Sequence, residues 1–158
     1  MSLSAPKPFA IDGASFGVGI VAARFNDSLV DALLQRVLGE LHAAGVKEPR
    51  VKVLRVPGSH EVPVAALWLA SEAEHDVVIG LGVLIGGDTN HHEMVGQSVS
   101  HALQDVSLAT GTPVINGVIV ANTQAQAEAR TTGAINRGSE FARAALEMAA
   151  LRRGKEKS

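Results

Sequence analysis

The sequence predicts an α/β fold in which a parallel sheet carries helices on both faces. Three observations point there. Apolar runs rich in Val, Ile and Leu alternate with segments of helical periodicity along the whole chain. The run Val77–Ile85 is apolar or Gly throughout, which marks a strand buried on both faces. Right-handed crossovers between such strands make the sheet parallel and place helices on each side.

The elements follow in order. Residues 1–15 carry Pro6 and Pro8 and no periodicity, and are expected as an N-terminal arm. Phe16–Ala23 is the first strand, ending at Arg24, Phe25, Asn26 and Asp27. Leu29, Leu33, Val37 and Leu41, with Val30, Leu34 and Leu38 beside them, predict the first helix. Its start is capped either by Ser28 paired with Asp31 or by Asn26, and Gly45 closes it. Val51–Val56 is the second strand, stopped by Pro57 and Gly58. A helix follows with Val62, Ala65, Ala66 and Leu69, in which Pro63 is tolerated because N–H groups of a first turn lack partners.

The third strand breaks at Gly86 and Gly87, and a helix capped by Thr89 or Asn90 runs to about Ala109, with Val95, Val99, Leu103 and Val106 inward. Gly111 and Pro113 terminate it. Pro113–Val120 is the fourth strand, and residues 123–132 form a short helix. Residues 133–138 interrupt, then Ser139–Arg152 form a last helix with Phe141, Ala145 and Met148 at helical spacing. Residues 153–158 read as a charged, frayed tail, and the whole of 1–158 as a single domain.

Composition narrows the function classes. A net charge of −2 leaves no basic stripe to displace counterions, so nucleic acid is not the expected partner. There are no cysteines, which fits a reducing cytosol and removes thiolate chemistry. No apolar run approaches the roughly 18 to 20 residues that span a bilayer, so a membrane is not expected and a cytoplasmic location is. A hydrophobic content of 46% is high for a small wettable monomer and suggests surface covered by other subunits.

Several motifs fail on context. Gly13, Ser15 and Gly17 match G-x-S-x-G but precede a strand, whereas a nucleophile elbow follows one. Gly80, Gly82 and Gly86 miss the dinucleotide spacing by one residue, and no Walker lysine is present. His91, His92 and Glu93 look like metal ligands, yet adjacent helical residues point about 100° apart, so they are not expected to hold a metal.

What remains lies at the carboxyl ends of the strands, where ligands bind in such sheets. The break after the third strand offers main-chain N–H groups at a helix start, an anion seat, with the imidazole of His91 in the first turn, as a proton-transfer group or as a histidine filling a surface position. Imidazole both takes and gives protons near neutral pH. Phe25, in a polar loop, is a stacking platform or a loop anchor. His60 follows a Pro-Gly turn, as a ligand contact or a surface residue. Arg130 and Arg137 flank the last break, as solvated charges or as phosphate clamps. His42, His75 and His101 are expected as solvated residues.

The segments Ala23–Asn26, Val56–Pro63, Gly82–His91 and Thr110–Gly117, with Asn136–Gly138 and Ala145–Ala149, resemble the lumazine synthase family in order and spacing from about residue 16 to 151. That resemblance implies a flavodoxin-like three-layer αβα sandwich with a four-stranded parallel sheet, assembled into pentamers and often into sixty-subunit icosahedral shells. It implies a transferase of riboflavin biosynthesis that condenses 5-amino-6-(D-ribitylamino)uracil with 3,4-dihydroxy-2-butanone 4-phosphate to 6,7-dimethyl-8-ribityllumazine, without metal or cofactor.

Carried onto this sequence, the resemblance makes His91 the proton-transfer residue and Phe25 the aromatic that stacks on the pyrimidine. Ser59, His60 and Glu61 bind the ribityl chain, and backbone groups of Val83, Leu84 and Ile85 meet the pyrimidine. Gly87, Asp88 and Thr89, with Arg130, hold phosphate, and Arg137 matches a substrate-contacting lysine. Asn116, Arg130 and Arg137 come from a neighbouring subunit. Gly86 stands where the family usually has arginine, Asn116 where it has a covering aromatic, and His60 where it has phenylalanine. The segment between Arg130 and Arg137 is one residue shorter than the common pattern. The replaced aromatic and arginine motivate an alternative, a non-catalytic pyrimidine- or flavin-binding paralogue or structural shell protein.

Overall fold

The computed structural model describes residue 4 and residues 6–157; the rest of the expected arm and the last residue of the expected tail lie outside the described residues. Four strands, β1 (Val18–Ala23), β2 (Val51–Val56), β3 (Val77–Ile85) and β4 (Val114–Ala121), form one sheet in the order β2-β1-β3-β4. Every neighbouring pair is parallel, as the crossover argument requires. The helices between and after them are α1 (Asp27–Ala43), α2 (Val62–Ala70), α3 (His91–Thr110), α4 (Gln124–Thr131) and α5 (Arg137–Lys157).

Strand side chains alternate between two cores, and this sorts the helices into layers. Val18, Ile20 and Ala22 of β1 and Val77, Ile79 and Leu81 of β3 pack with α1 and α5, and with Ala127 of α4. Val21, Ala23 and Val78 on the other face meet Val62, Ala65 and Leu69 of α2 and Val95, Val99 and Leu103 of α3. The result is a three-layer αβα sandwich of flavodoxin-like kind, with β1 and β3 as the two inner strands, buried on both faces.

Boundaries moved where side chains took over main-chain bonds. The first strand begins at Val18 rather than Phe16 because the Gly17 N–H donates to Asp76 Oδ2 at 2.8 Å instead of entering the ladder. The last helix begins at Arg137 rather than Ser139, with Asn136 Oδ1 accepting from the Ser139 N–H at 3.1 Å. It continues through the expected tail to Lys157. Arg153 makes a two-pronged pair with Asp76 at 3.0 and 3.1 Å, which ties this end to the start of β3. Among the described residues no helix is long and apolar enough to cross a membrane.

His75 corrects the sequence reading. It is buried, because the turn after α2 brings its Nδ1 to 2.8 Å from the Leu69 carbonyl and Arg152 donates to its main-chain carbonyl at 3.1 Å. His42 and His101 are exposed as expected.

Candidate active site

The strand order reverses between β1 and β3, and the loops leaving these strands diverge there, opening a crevice at their carboxyl ends. A cleft of about 570 Å³ occupies it, walled by the loop after β1, the turn after β2, the end of β3 and the start of α3. A larger hollow of about 670 Å³ lies between the arm and the helices α1 and α5. That hollow has no histidine, and its Arg143 is already paired with Glu40 at 2.9 Å. The crevice, by contrast, is lined by His60, His91 and His92.

Each wall has a local cause. Phe25 sits at the mouth, 72% exposed, with its ring edge against Gly58, where a Cβ would stand 3.1 Å from the Phe25 Cδ2. Asn26 occupies the N-cap position of α1 in the left-handed region at φ 57°. Its side chain does not cap the helix; Nδ2 donates to the Val83 carbonyl at 2.8 Å and binds the first loop to the inner strand β3. Ser59–Glu61 form a single 3₁₀ turn, closed by the Glu61 carboxylate accepting from the Gly58 N–H at 3.0 Å. Ser59 is buried against Gly82, where any Cβ would lie 2.4 Å from Ser59 Oγ, so glycine is what lets this turn reach the strand. His60 is exposed beside Glu61, 3.6 Å away.

The fourth wall is the connection between β3 and α3. A Cβ on Gly86 would lie 2.6 Å from the Asn122 carbonyl oxygen, whereas Gly87 faces open space. Only the first glycine is demanded by the chain itself. Gly87, Asp88, Thr89 and Asn90 are exposed, and His91 opens α3 with its N–H 3.4 Å from Thr89 Oγ1. Asn90 holds the cap position without a side-chain cap bond. His91 lines the cleft, and His92 turns inward, buried, with Nε2 3.1 Å from Asn122 Oδ1.

Of the residues singled out in the sequence, Phe25, Ser59, His60, Glu61, Val83, Leu84, Ile85 and His91 meet in this one cleft. Gly87, Asp88 and Thr89 form the adjoining connection. Asn116, Arg130 and Arg137 do not line it. Asn116 is exposed on the edge strand β4, its Oδ1 accepting from the Val118 N–H. Arg130 donates to the Gln126 carbonyl at 2.9 Å, and Arg137 pairs with Glu140 at 2.7 Å over the Phe141 ring. Asn26 and Gly58, expected at the carboxyl ends of the first two strands, line it too, and His92, Met94 and Val95 do so without having been singled out for it. For Asn26 the signal was its type, since Asn enters the left-handed region more readily than other L residues.

Residues 15–153 match the 6,7-dimethyl-8-ribityllumazine synthase family. The chain belongs to that family. A relative of that name from Thermococcus gammatolerans is 42% identical over 144 residues, 91% of this chain and 92% of its own length. Another from Polaromonas sp. is 40% identical over 141 residues, 89% of this chain and 90% of its own. A third, from Pyricularia oryzae, is 35% identical and aligns with 97% of this chain and 96% of its own length. Lumazine synthase membership fits a cleft that supplies an aromatic platform, polar turns and an imidazole. Among the described residues no three His, Asp or Glu side chains converge as a metal ion would require.

Proposed function

We propose that this cleft makes 6,7-dimethyl-8-ribityllumazine, the lumazine synthase step of riboflavin biosynthesis, with His91 moving the protons. One observation carries the reading: within a chain that matches the family over residues 15–153, His91 and the three other walls face the same crevice. The pyrimidine stacks on Phe25 and meets backbone groups of Val83, Leu84 and Ile85, and its ribityl chain lies along Ser59, His60 and Glu61. The phosphate of the butanone rests on the main chain of Gly87, Asp88 and Thr89 at the positive end of α3.

The chemistry then needs orientation and proton transfer. The pyrimidine amino group attacks the butanone carbonyl and water leaves to give an imine. Phosphate is eliminated, and the ribityl-bearing nitrogen closes the second ring with loss of another water. Both substrates bring their own reactivity, so holding them together supplies most of the acceleration. His91 adds proton transfer, roughly 10²- to 10⁴-fold.

The family implies small-molecule substrates and a homo-oligomer. We take the assembly to be a pentamer at least, with Asn116, Arg130 and Arg137 of one copy facing the cleft of the next. Arg130 meets phosphate and Arg137 meets substrate there. Val64, Leu67 and Trp68 on α2 and Met94 on α3 are exposed apolar residues that a second copy would cover. The short break before α5, with no insertion, favours the sixty-subunit shell, and the composition favours a cytoplasmic setting. The non-catalytic alternative gains nothing from the relatives, which are named as synthases. Mixing the two substrates with the protein and following product absorbance tests the reading. Formation above the spontaneous rate supports it, and none above that rate defeats it.

A further inference from the structure

Asn122 holds both ends of the connection that carries the phosphate seat and His91. Its main chain is pressed against Gly86, where a Cβ would stand 2.6 Å from the Asn122 carbonyl oxygen, beside the 2.8 Å bond from the Gly86 N–H to the Ala121 carbonyl. Its side-chain Oδ1 lies 3.1 Å from His92 Nε2. Residues 87–91 thus span two points fixed on one residue. Asn122 is itself held, since its N–H donates to Gln126 Oε1 at 2.8 Å.

His92 carries an imidazole where folding alone would favour an apolar ring. Its side chain is only 10% exposed, and its Nδ1 is enclosed with no hydrogen-bond partner among the described residues. Phenylalanine would fill the space without that penalty. What imidazole provides and phenylalanine does not is the bond to Asn122. Glu93, mostly exposed and 4.0 Å away, gives no hydrogen bond in its place.

We infer that His92 is a positioning residue for the condensation: through Asn122 it fixes the segment Gly87–Thr89 and the first turn of α3, and so the imidazole of His91. This rests on the functional reading of the cleft given above. The connection is exposed; the Asn90 carbonyl joins its far end to α3 by accepting from the Glu93 and Met94 N–H groups at 3.1 Å, and for Gly87–Thr89 the described residues show only the 3.4 Å contact of the His91 N–H with Thr89. The pyrimidine wall, Phe25, Ser59–Glu61 and Val83–Ile85, belongs to other elements; His92 also lines the cleft whereas Asn122 does not, so Asn122→Ala separates the tether from a direct contact of residue 92 with substrate.

Steady-state kinetics on the intact oligomer, with melting and sedimentation as controls, test this. In His92→Phe we expect kcat to fall about 10- to 100-fold and KM for the phosphorylated butanone to rise. KM for the pyrimidine should stay within about twofold, and the melting temperature should not fall. General structural damage would move both KM values. Asn122→Ala should match His92→Phe, the double variant should be no worse than either, and His92→Gln, whose amide can reach Asn122, should recover most of the loss. Unchanged kinetics in His92→Phe would overturn the inference, as would a harmless Asn122→Ala. Should His92→Phe not fold, Asn122→Ala at its exposed site decides alone. Turnover lost in His91→Ala but kept in His92→Phe refutes this inference while sparing the function. An inactive unaltered protein refutes the function, and inorganic phosphate titrated by calorimetry then judges the tether: weaker binding to His92→Phe supports it, equal binding overturns it.

Discussion

The Asn26 side chain donates to the Val83 carbonyl at 2.8 Å, joining the loop that carries Phe25 to the inner strand β3. Asn26 does this from the left-handed region, at φ 57°, so one residue sets both the turn into α1 and the width of the cleft. Two substitutions separate these roles. Asn26→Gly keeps the backbone geometry and loses the bond, at about 0.5 to 1.5 kcal/mol. Asn26→Ala adds roughly 1 to 2 kcal/mol of left-handed strain. Urea unfolding should rank them in that order, and both should raise KM for the pyrimidine.

Gly86 lies against the Asn122 main chain, where a Cβ would stand 2.6 Å from the carbonyl oxygen, so a side chain there needs the backbone to shift. Gly86→Ala should cost about 1 to 3 kcal/mol and weaken binding of the phosphorylated substrate. Gly87→Ala, with open space at its Cβ, should leave stability within about 0.5 kcal/mol. Thermal melting of the pair checks the contrast.

Arg130 curls onto its own helix in the isolated chain, and its proposed work is in a neighbour's cleft. Arg130→Ala should raise KM for the butanone phosphate far more than it lowers kcat. At butanone phosphate concentrations well below the KM of Arg130→Ala, mixing Arg130→Ala subunits with His91→Ala subunits, unfolded and reassembled together, should restore activity at roughly a quarter of the sites. Hybrid oligomers with no recovery would show that both residues serve the same copy.

The exposed apolar residues of α2 and α3 predict that the protein sediments as a pentamer or a larger multiple. A monomer at micromolar concentration would remove the shared cleft.

Much of this was legible in the sequence because it is local or periodic. The four strands and the inward faces of α1 and α3 follow from apolar spacing, and the cleft follows from where those strands end. The misses share a different cause. Gly17 leaving the ladder for Asp76, Arg153 extending α5 past its apolar stripe, and His75 buried with its ring against the Leu69 carbonyl all depend on contacts with distant or folded-back chain. The His92–Asn122 bond joins residues 30 apart, and no spacing rule announces it. Asn116, Arg130 and Arg137 lie outside the cleft of their own copy, so what they touch depends on the assembly.

The proton-transfer role of His91 is tested most directly by kcat of His91→Ala against the unaltered protein, both substrates saturating and the oligomer intact. We expect a fall of roughly 10²- to 10⁴-fold, about 3 to 5 kcal/mol of transition-state stabilisation, with KM little changed. Turnover equal to that of the unaltered protein would contradict it.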